Sequence, residues 1–219
     1  MKKTAVIVGA SGLVGKSLLE ILLSSDYYDH VKILVRNKLE ITHNKLEQIK
    51  VNFDQLELYK EHLYAEDVFC CLGTTIKKAK TKEAFKLVDF EYPVKLALLS
   101  EECGVRNFLI ITAMGSDVNS RFFYNQVKGE VEQEIHNIKI PAIHIFRPSL
   151  LLGNRDEFRL GEKFASSLTP LLNIFLTGGR KKYRPIQAKD VASAMYHAAN
   201  IDHCGLFIYE SDEIFTMSQ

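Results

Sequence analysis

Apolar positions in this chain fall into two alternating patterns. Thr4–Val8, Val31–Val35, Asp67–Leu72, Phe108–Thr112, Ala142–Phe146 and Leu206–Tyr209 are short, nearly unbroken apolar runs. Such runs suit strands covered on both faces, because side chains alternate between the two faces and both are buried. A weaker run at Gln48–Val51 adds a further strand, the third in chain order. Between the strands, apolar residues recur at helical spacing over Lys16–Leu23, Lys82–Cys103, Phe123–His136, Gly161–Leu168 and Lys189–Ala199. Gly104 caps the second of these, and Pro93 inside it predicts a kink or a fresh helix start. Strand and helix alternating in this way predict crossover units and an α/β fold with a doubly wound parallel sheet. The rhythm loosens over 150–190, which reads as a small lid-like insertion in one domain covering 1–219. No repeat or linker divides the chain.

The first strand and helix are joined by Gly9-Ala10-Ser11-Gly12-Leu13-Val14-Gly15. A strand, a glycine turn and a helix start in that order form a phosphate-binding device. The N–H groups of the first helical turn lack intrahelical partners, and the helix dipole favours an anion beside them. Gly9 permits the tight turn, Gly12 the approach of a pyrophosphate, and Gly15 close packing of helix on strand. The spacing G-x-x-G-x-x-G departs from the strict G-x-G-x-x-G form, but its strand and helix context is the required one. The expected fold is therefore of Rossmann type and the domain NAD(P)-binding. Gly9, Ser11, Gly12, Leu13, Val14 and Gly15 are candidate cofactor contacts.

Composition narrows the partners. The 219 residues carry a net charge of +1, with 47% apolar and 25% charged side chains. That balance supplies no basic excess for nucleic acid or membrane surfaces, and no run approaches the ~20 apolar residues that span a bilayer. Met1-Lys2-Lys3 is not followed by a signal-peptide core, so the expected compartment is the cytoplasm. Four cysteines without C-x-x-C spacing are expected to be reduced and mostly buried, and Cys70 and Cys71 to belong to the core. Seven scattered histidines offer no metal-ligand spacing.

Tyr124-Asn125-Gln126-Val127-Lys128 is a Y-x-x-x-K pattern on a predicted helix, which puts phenol and ammonium on one face. A lysine cation beside a phenol favours the phenolate, so the tyrosine can exchange a proton with a carbonyl or alcohol. Tyr28 and Lys32 repeat the spacing at the entry of the second strand, where no ligand is expected.

Together, the alternation, the glycine turn and Tyr124/Lys128 resemble the short-chain dehydrogenase/reductase superfamily. Phe123-Tyr124-Asn125-Gln126-Val127-Lys128-Gly129-Glu130-Val131-Glu132, Phe146-Arg147-Pro148-Ser149-Leu150-Leu151-Leu152 and Arg159-Leu160-Gly161-Glu162 are similar to the Tat-interacting, oxidoreductase-like group of its atypical members. The resemblance implies that Tyr124 is the acid/base and that Lys128 holds the nicotinamide ribose. It also implies a hydroxyl at the end of the fifth strand. Relatives commonly carry two serines where Thr112 and Ala113 stand, so the hydroxyl falls to Thr112 or Ser116. Leu72, Gly73, Thr74 and Thr75 resemble the loop under the cofactor, and Arg147, Pro148 and Leu151 the segment that meets the nicotinamide carboxamide.

An NAD site usually closes its second strand with an acid; here Arg36 and Asn37 follow Val35. A guanidinium pairs well with a 2′-phosphate, so NADP(H) is expected over NAD(H). The leading expectation is an NADP(H)-dependent oxidoreductase of a small carbonyl or alcohol substrate. A dinucleotide-binding regulator acting through a protein partner is the alternative, and a nucleotide-sugar epimerase or dehydratase the third. Monomer and homodimer both remain open.

Overall fold

The computed structural model describes residues 2–153 and 182–219. The predicted helix at Gly161–Leu168 and most of the 150–190 insertion lie outside them. The strands are β1 (Lys3–Val8), β2 (Tyr28–Val35), β3 (Leu46–Lys50), β4 (Asp67–Cys70), β5 (Asn107–Ile111), β6 (Ala142–Arg147), β7 (Leu151–Leu152), β8 (Ile186–Gln187) and β9 (Gly205–Glu210). Seven of them form one sheet in the order β3-β2-β1-β4-β5-β6-β9, every pair parallel. The order reverses between β1 and β4, the switch point beyond whose strand ends open α/β sheets bind ligands.

Helices cover both faces. One face carries α1 (Leu13–Ser24), α6 (Ala188–Ala199) and α7 (Ser211–Met217); α4 (Tyr92–Glu102) and α5 (Phe123–His136) cover the other. The unbroken apolar run of β1 has a direct explanation in this arrangement. Ala5 and Ile7 pack with Leu18, Leu22 and Met195, while Val6 and Val8 pack with Leu96, Phe108 and Val131.

Several boundaries differ from expectation. The long helix predicted from Lys82 is α3 (Lys82–Lys86), a π turn (Leu87–Glu91) and α4, with Pro93 in the first turn of α4. The Tyr92 N–H donates to the Leu87 carbonyl across the π turn, and the irregularity falls next to Pro93, which has no N–H to give to the ladder. A run of 3-10 turns (Phe53–Leu63), the one-turn helix α2 (Ile76–Ala79) and α7 were not foreseen. Strands β7 and β8 pair with each other, so the two ends of the 150–190 insertion lie side by side. Cys70 is buried and its thiol is pushed up to about 12 by burial, as a core thiol should be. Cys204 is exposed, against the expectation of mostly buried cysteines.

Tyr28, half of the second Y-x-x-x-K, lies at the far end of the sheet. Its hydroxyl donates to buried Asp67 at 2.5 Å, and Lys3 and Asn107 also bond that carboxylate. These residues lie at the N-terminal ends of β1, β2, β4 and β5 and close the sheet away from the ligand side.

One buried base gives the fold a pH signature. His144 of β6 is stacked on Phe207 and Tyr209, with 1% of its surface exposed. Burial, aided by His203, pushes its imidazolium down to about 4 from 6.5. Between these values the unfolded chain binds a proton that the folded chain refuses, so stability falls as pH drops from about 6.5 to 4. The loss at the acid end is about 3 kcal/mol. Denaturant melts of the wild type and His144→Phe across pH 4–8 should show this acid slope in the wild type and a flatter one in the variant. Parallel slopes would assign the acid sensitivity elsewhere.

Candidate functional site

The glycine turn lies at the switch point. Gly9 sits at φ +91, and an added Cβ would meet the Cys71 carbonyl oxygen at 2.5 Å, so β1 and β4 touch there backbone to backbone. At Gly15 a Cβ would come within 2.2 Å of the Gly9 oxygen. Neither contact can relax, because each strikes main chain. Gly12 caps α1 with no side-chain hydrogen bond, which leaves the first-turn N–H groups open toward the crevice. This uncapped helix end, bordered by closely approached backbone, fits a pyrophosphate. Arg36 and Asn37 are exposed just past β2, with Arg36 close enough to Tyr92 to act on its phenol.

Tyr124 and Lys128 lie one turn apart on α5, as the spacing predicts, but in different surroundings. Tyr124 is 36% exposed, at the mouth of the crevice, with its ring 5.7 Å from that of Phe85. Lys128 is buried, its Nζ 2.8 Å from Asp89 Oδ1, and both side chains are almost fully sealed. Burial alone would push the ammonium down; Asp89, with smaller help from Tyr124, reverses this and holds it above its ordinary value. Asp89 Oδ2 accepts the Thr74 N–H at 2.8 Å. One carboxylate thus ties the cofactor-loop candidates Gly73 and Thr74 to Lys128, on which the ribose contact was placed. Asp89 Oδ1 has no hydrogen bond of good geometry beyond this ion pair, so it keeps acceptor capacity.

Both hydroxyl candidates are engaged within the protein. Thr112 is buried and donates to Glu132 Oε1 at 2.6 Å, with the Phe146 carbonyl at 3.3 Å. To orient a substrate, this hydroxyl would have to leave the Glu132 carboxylate of α5. Ser116 is also buried and donates to the Ala113 carbonyl at 2.7 Å; to donate to a ligand it would have to rotate. The Arg147 side chain is likewise committed. It pairs with Glu132 and with Glu210.

Three residues that hold the site in place went unassigned in the sequence: Asp89, Glu132 and Gly129. Glu132 lies one turn beyond Lys128 and ties α5 to the ends of β5 and β6. A Cβ on Gly129 would strike the Asp117–Val118 backbone at 2.4 Å, so α5 and the loop before it are in direct contact. Asn125 binds the Gly115 carbonyl at 2.8 Å, and the Met114 N–H binds the Pro148 carbonyl at 3.0 Å. Period-two counting offered a signal for the Thr112–Glu132 contact, because Thr112 shares the parity of Phe108 and Ile110, which face α5.

Among the described residues, no group of three potential ligands could hold a metal ion, and no helix is long and apolar enough to cross a membrane.

Comparison with known proteins agrees with this architecture. A family model described as the NmrA-like family matches residues 1–151. The chain is similar to protein HTATIP2 of Rattus norvegicus, 40% identical over 174 residues, covering 76% of this chain and 72% of that protein. It is similar as well to the mitochondrial protein FMP52 of Eremothecium gossypii, 31% identical over 97% of this chain and 96% of that one. Among solved structures, the fold resembles the Bordetella bronchiseptica enzyme WbmH in complex with NAD+. There the TM-score is 0.72 at 15% identity, over 95% of this chain and 75% of that one. It also resembles dTDP-4-dehydrorhamnose reductase of Bacillus anthracis in complex with NADP, with a TM-score of 0.67 at 17% identity, over 99% and 81%. These structural likenesses identify an α/β fold of the dinucleotide-binding type.

Proposed function

The chain belongs to the NmrA-like family of atypical short-chain dehydrogenase/reductases, and on that footing we propose that it is an NADP(H)-dependent oxidoreductase acting on a carbonyl or alcohol. The observation that carries the reading is the buried Lys128–Asp89 pair beneath the exposed Tyr124, beside an uncapped glycine turn. When bound, the dinucleotide supplies the hydride. The protein's share is to position it, to exclude water and to deliver a proton. Gly9, Gly12 and Gly15 receive the pyrophosphate against open backbone N–H groups. Lys128, fixed by Asp89, directs its remaining N–H donors at the ribose hydroxyls. Tyr124 presents its phenol to the carbonyl oxygen in reduction and takes the proton back in oxidation.

Arg36 sets the cofactor preference. Its exposed guanidinium would form charge-assisted bonds to a 2′-phosphate, each worth about 1.5–3 kcal/mol. Arg36→Asp should therefore weaken NADP+ by roughly tenfold to a hundredfold, and leave NAD+ unchanged or slightly tighter. Calorimetric titration of wild type and variant with NADP+, NADPH, NAD+ and NADH tests both the site and the preference. Equal affinity of the wild type for both pairs would remove the role of Arg36, and binding of none would end the enzyme reading.

A second reading, a dinucleotide-binding regulator with little turnover, is favoured by one observation. Thr112 and Ser116 both spend their hydroxyl protons inside the protein, and Ala113 has none to give. Negligible reduction across a broad carbonyl panel, with tight NADPH binding retained, would select it. The fungal relatives bear mitochondrial names; our proposal for this chain remains the cytoplasm, which fractionation of cells expressing it would test.

A further inference from the structure

A strip of surface beside the crevice is not explained by hydride transfer. The chain as a whole carries a net charge of +1, yet between Ile76 and Lys86 five lysines stand against the single acid Glu83. This segment continues directly from Thr74, whose N–H is bound to Asp89, so it borders the crevice where the cofactor loop ends. Lys86 is engaged with Glu130 and lies over the Phe90 ring. Lys77, Lys80 and Lys82 are exposed. Lys80 is the only non-glycine among the described residues with positive φ, +68. The left-handed region is costly for a lysine and easy for a glycine, so the chain holds a cation at this bend at some conformational expense.

The same rim carries two exposed apolar side chains. Phe122, just before α5, is 73% exposed, and Ile76 is 46% exposed. Beside a cationic strip, such side chains offer cover to a ligand that has an apolar body. The cationic and apolar parts are mechanically joined. Lys82 Nζ lies 5.1 Å from the Phe123 ring centroid, and buried Phe85 of α3 contacts both Phe123 and Tyr124 at 5.7 Å. The helix carrying Lys82 therefore packs directly on the turn that carries Tyr124.

We propose that the compound handled at Tyr124 is an anionic amphiphile: a carbonyl compound with an apolar body that covers Phe122 and Ile76, and a carboxylate or phosphate held among Lys77, Lys80 and Lys82. This rests on the reading of the Tyr124 crevice as the reacting site, and deepens it by naming the substrate class. A neutral carbonyl would make no use of the lysine charges, and a short anion none of the apolar side chains of Phe122 and Ile76.

The first test is binding, independent of turnover. NADPH-loaded protein is titrated calorimetrically with octanoate, octanol and butanoate. Octanoate should bind at least tenfold more tightly than either of the others. Lys80→Glu/Lys82→Glu should cost octanoate at least tenfold and leave octanol unchanged, whereas Phe122→Ser should weaken octanoate and octanol alike. All three positions are exposed, so these variants should fold. Octanol binding as well as octanoate, or charge reversal without effect, overturns the proposal. The second test compares kcat/KM for 8-oxooctanoate and octanal. Faster reduction of the charged aldehyde, lost on charge reversal, supports the proposal. Equal rates overturn the substrate class while leaving the oxidoreductase reading intact. Octanoate binding in the expected pattern with neither aldehyde reduced overturns the claim that this amphiphile is the compound handled at Tyr124, while the broad carbonyl panel decides the oxidoreductase reading.

Discussion

Tyr124→Phe should bind NADPH as the wild type does and lose reductase activity by a factor of about 10²–10⁴, the usual contribution of a positioned general acid. The substitution removes one oxygen and keeps the ring. Its packing on Phe85 at 5.7 Å therefore survives, and with Tyr124 36% exposed the fold should be indifferent to the change. The measurement is kcat with a reducible carbonyl beside the dissociation constant for NADPH. Activity within tenfold of wild type would mean that another group delivers the proton. Tyr28→Phe is the natural control, because it alters the other Y-x-x-x-K. It should leave kcat unchanged but lower stability, since the Tyr28 hydroxyl donates to buried Asp67 at the opposite end of the sheet. Replacing it leaves part of that carboxylate's hydrogen bonding unsatisfied, at a cost of about 1–3 kcal/mol.

These two tyrosines show what the sequence made legible. Spacing alone cannot separate them, but position after a strand can: Tyr124 follows β5 and its loop, and Tyr28 opens β2. The parallel order of the sheet and the contacts of Gly9 and Gly15 were readable for a similar reason. Strand, turn and helix are local, and a glycine that must sit against backbone leaves a mark in the sequence. The side-chain partners were not readable. Arg147 was quoted only for its backbone, because nothing local indicates that its guanidinium spans Glu132 and Glu210, from two other elements. Thr112 lies at a strand end where its hydroxyl has two directions to take, and the choice is made by Glu132, twenty residues away.

Asp89 was the least visible of all, and the reason is chemical. A lone aspartate ordinarily reads as part of a solvated face. Helical counting puts Asp89 four residues from buried Phe85 and four from buried Pro93, on the inner face, but its partner Lys128 comes from α5, thirty-nine residues away. The place of the π turn that carries Asp89 at a functional crevice agrees with the general tendency of π turns to occur there.

Replacing that carboxylate should have the largest effect on stability of any change in the site. Asp89→Asn preserves volume and leaves an oxygen to accept the Thr74 N–H, but it strips Lys128 of its counter-charge. An ammonium with 5% of its side chain exposed then stands alone in the interior. Breaking a buried pair from one side typically costs about 3–5 kcal/mol, most of it the uncompensated charge. The pH dependence separates this cause from simple misfolding. In the wild type the folded Lys128 holds its proton more tightly than the unfolded chain, so its contribution is full below the ordinary lysine range and is lost as pH rises through the folded value. In Asp89→Asn, burial acts unopposed and the sign reverses. The folded state sheds the proton first, and the variant's deficit should shrink as pH rises toward 10. Asp89→Asn/Lys128→Met, which removes both charges, should recover much of the lost stability yet remain unable to bind the ribose. Urea melts of the three proteins at pH 7 and 9.5 provide the measurement. A single variant within about 1 kcal/mol of wild type, well below the usual cost of an orphaned buried charge, would show that Lys128 does not depend on Asp89. If instead the pair couples as strongly as its burial implies, Asp89 is the residue that holds Lys128 ready for a ribose before any cofactor arrives.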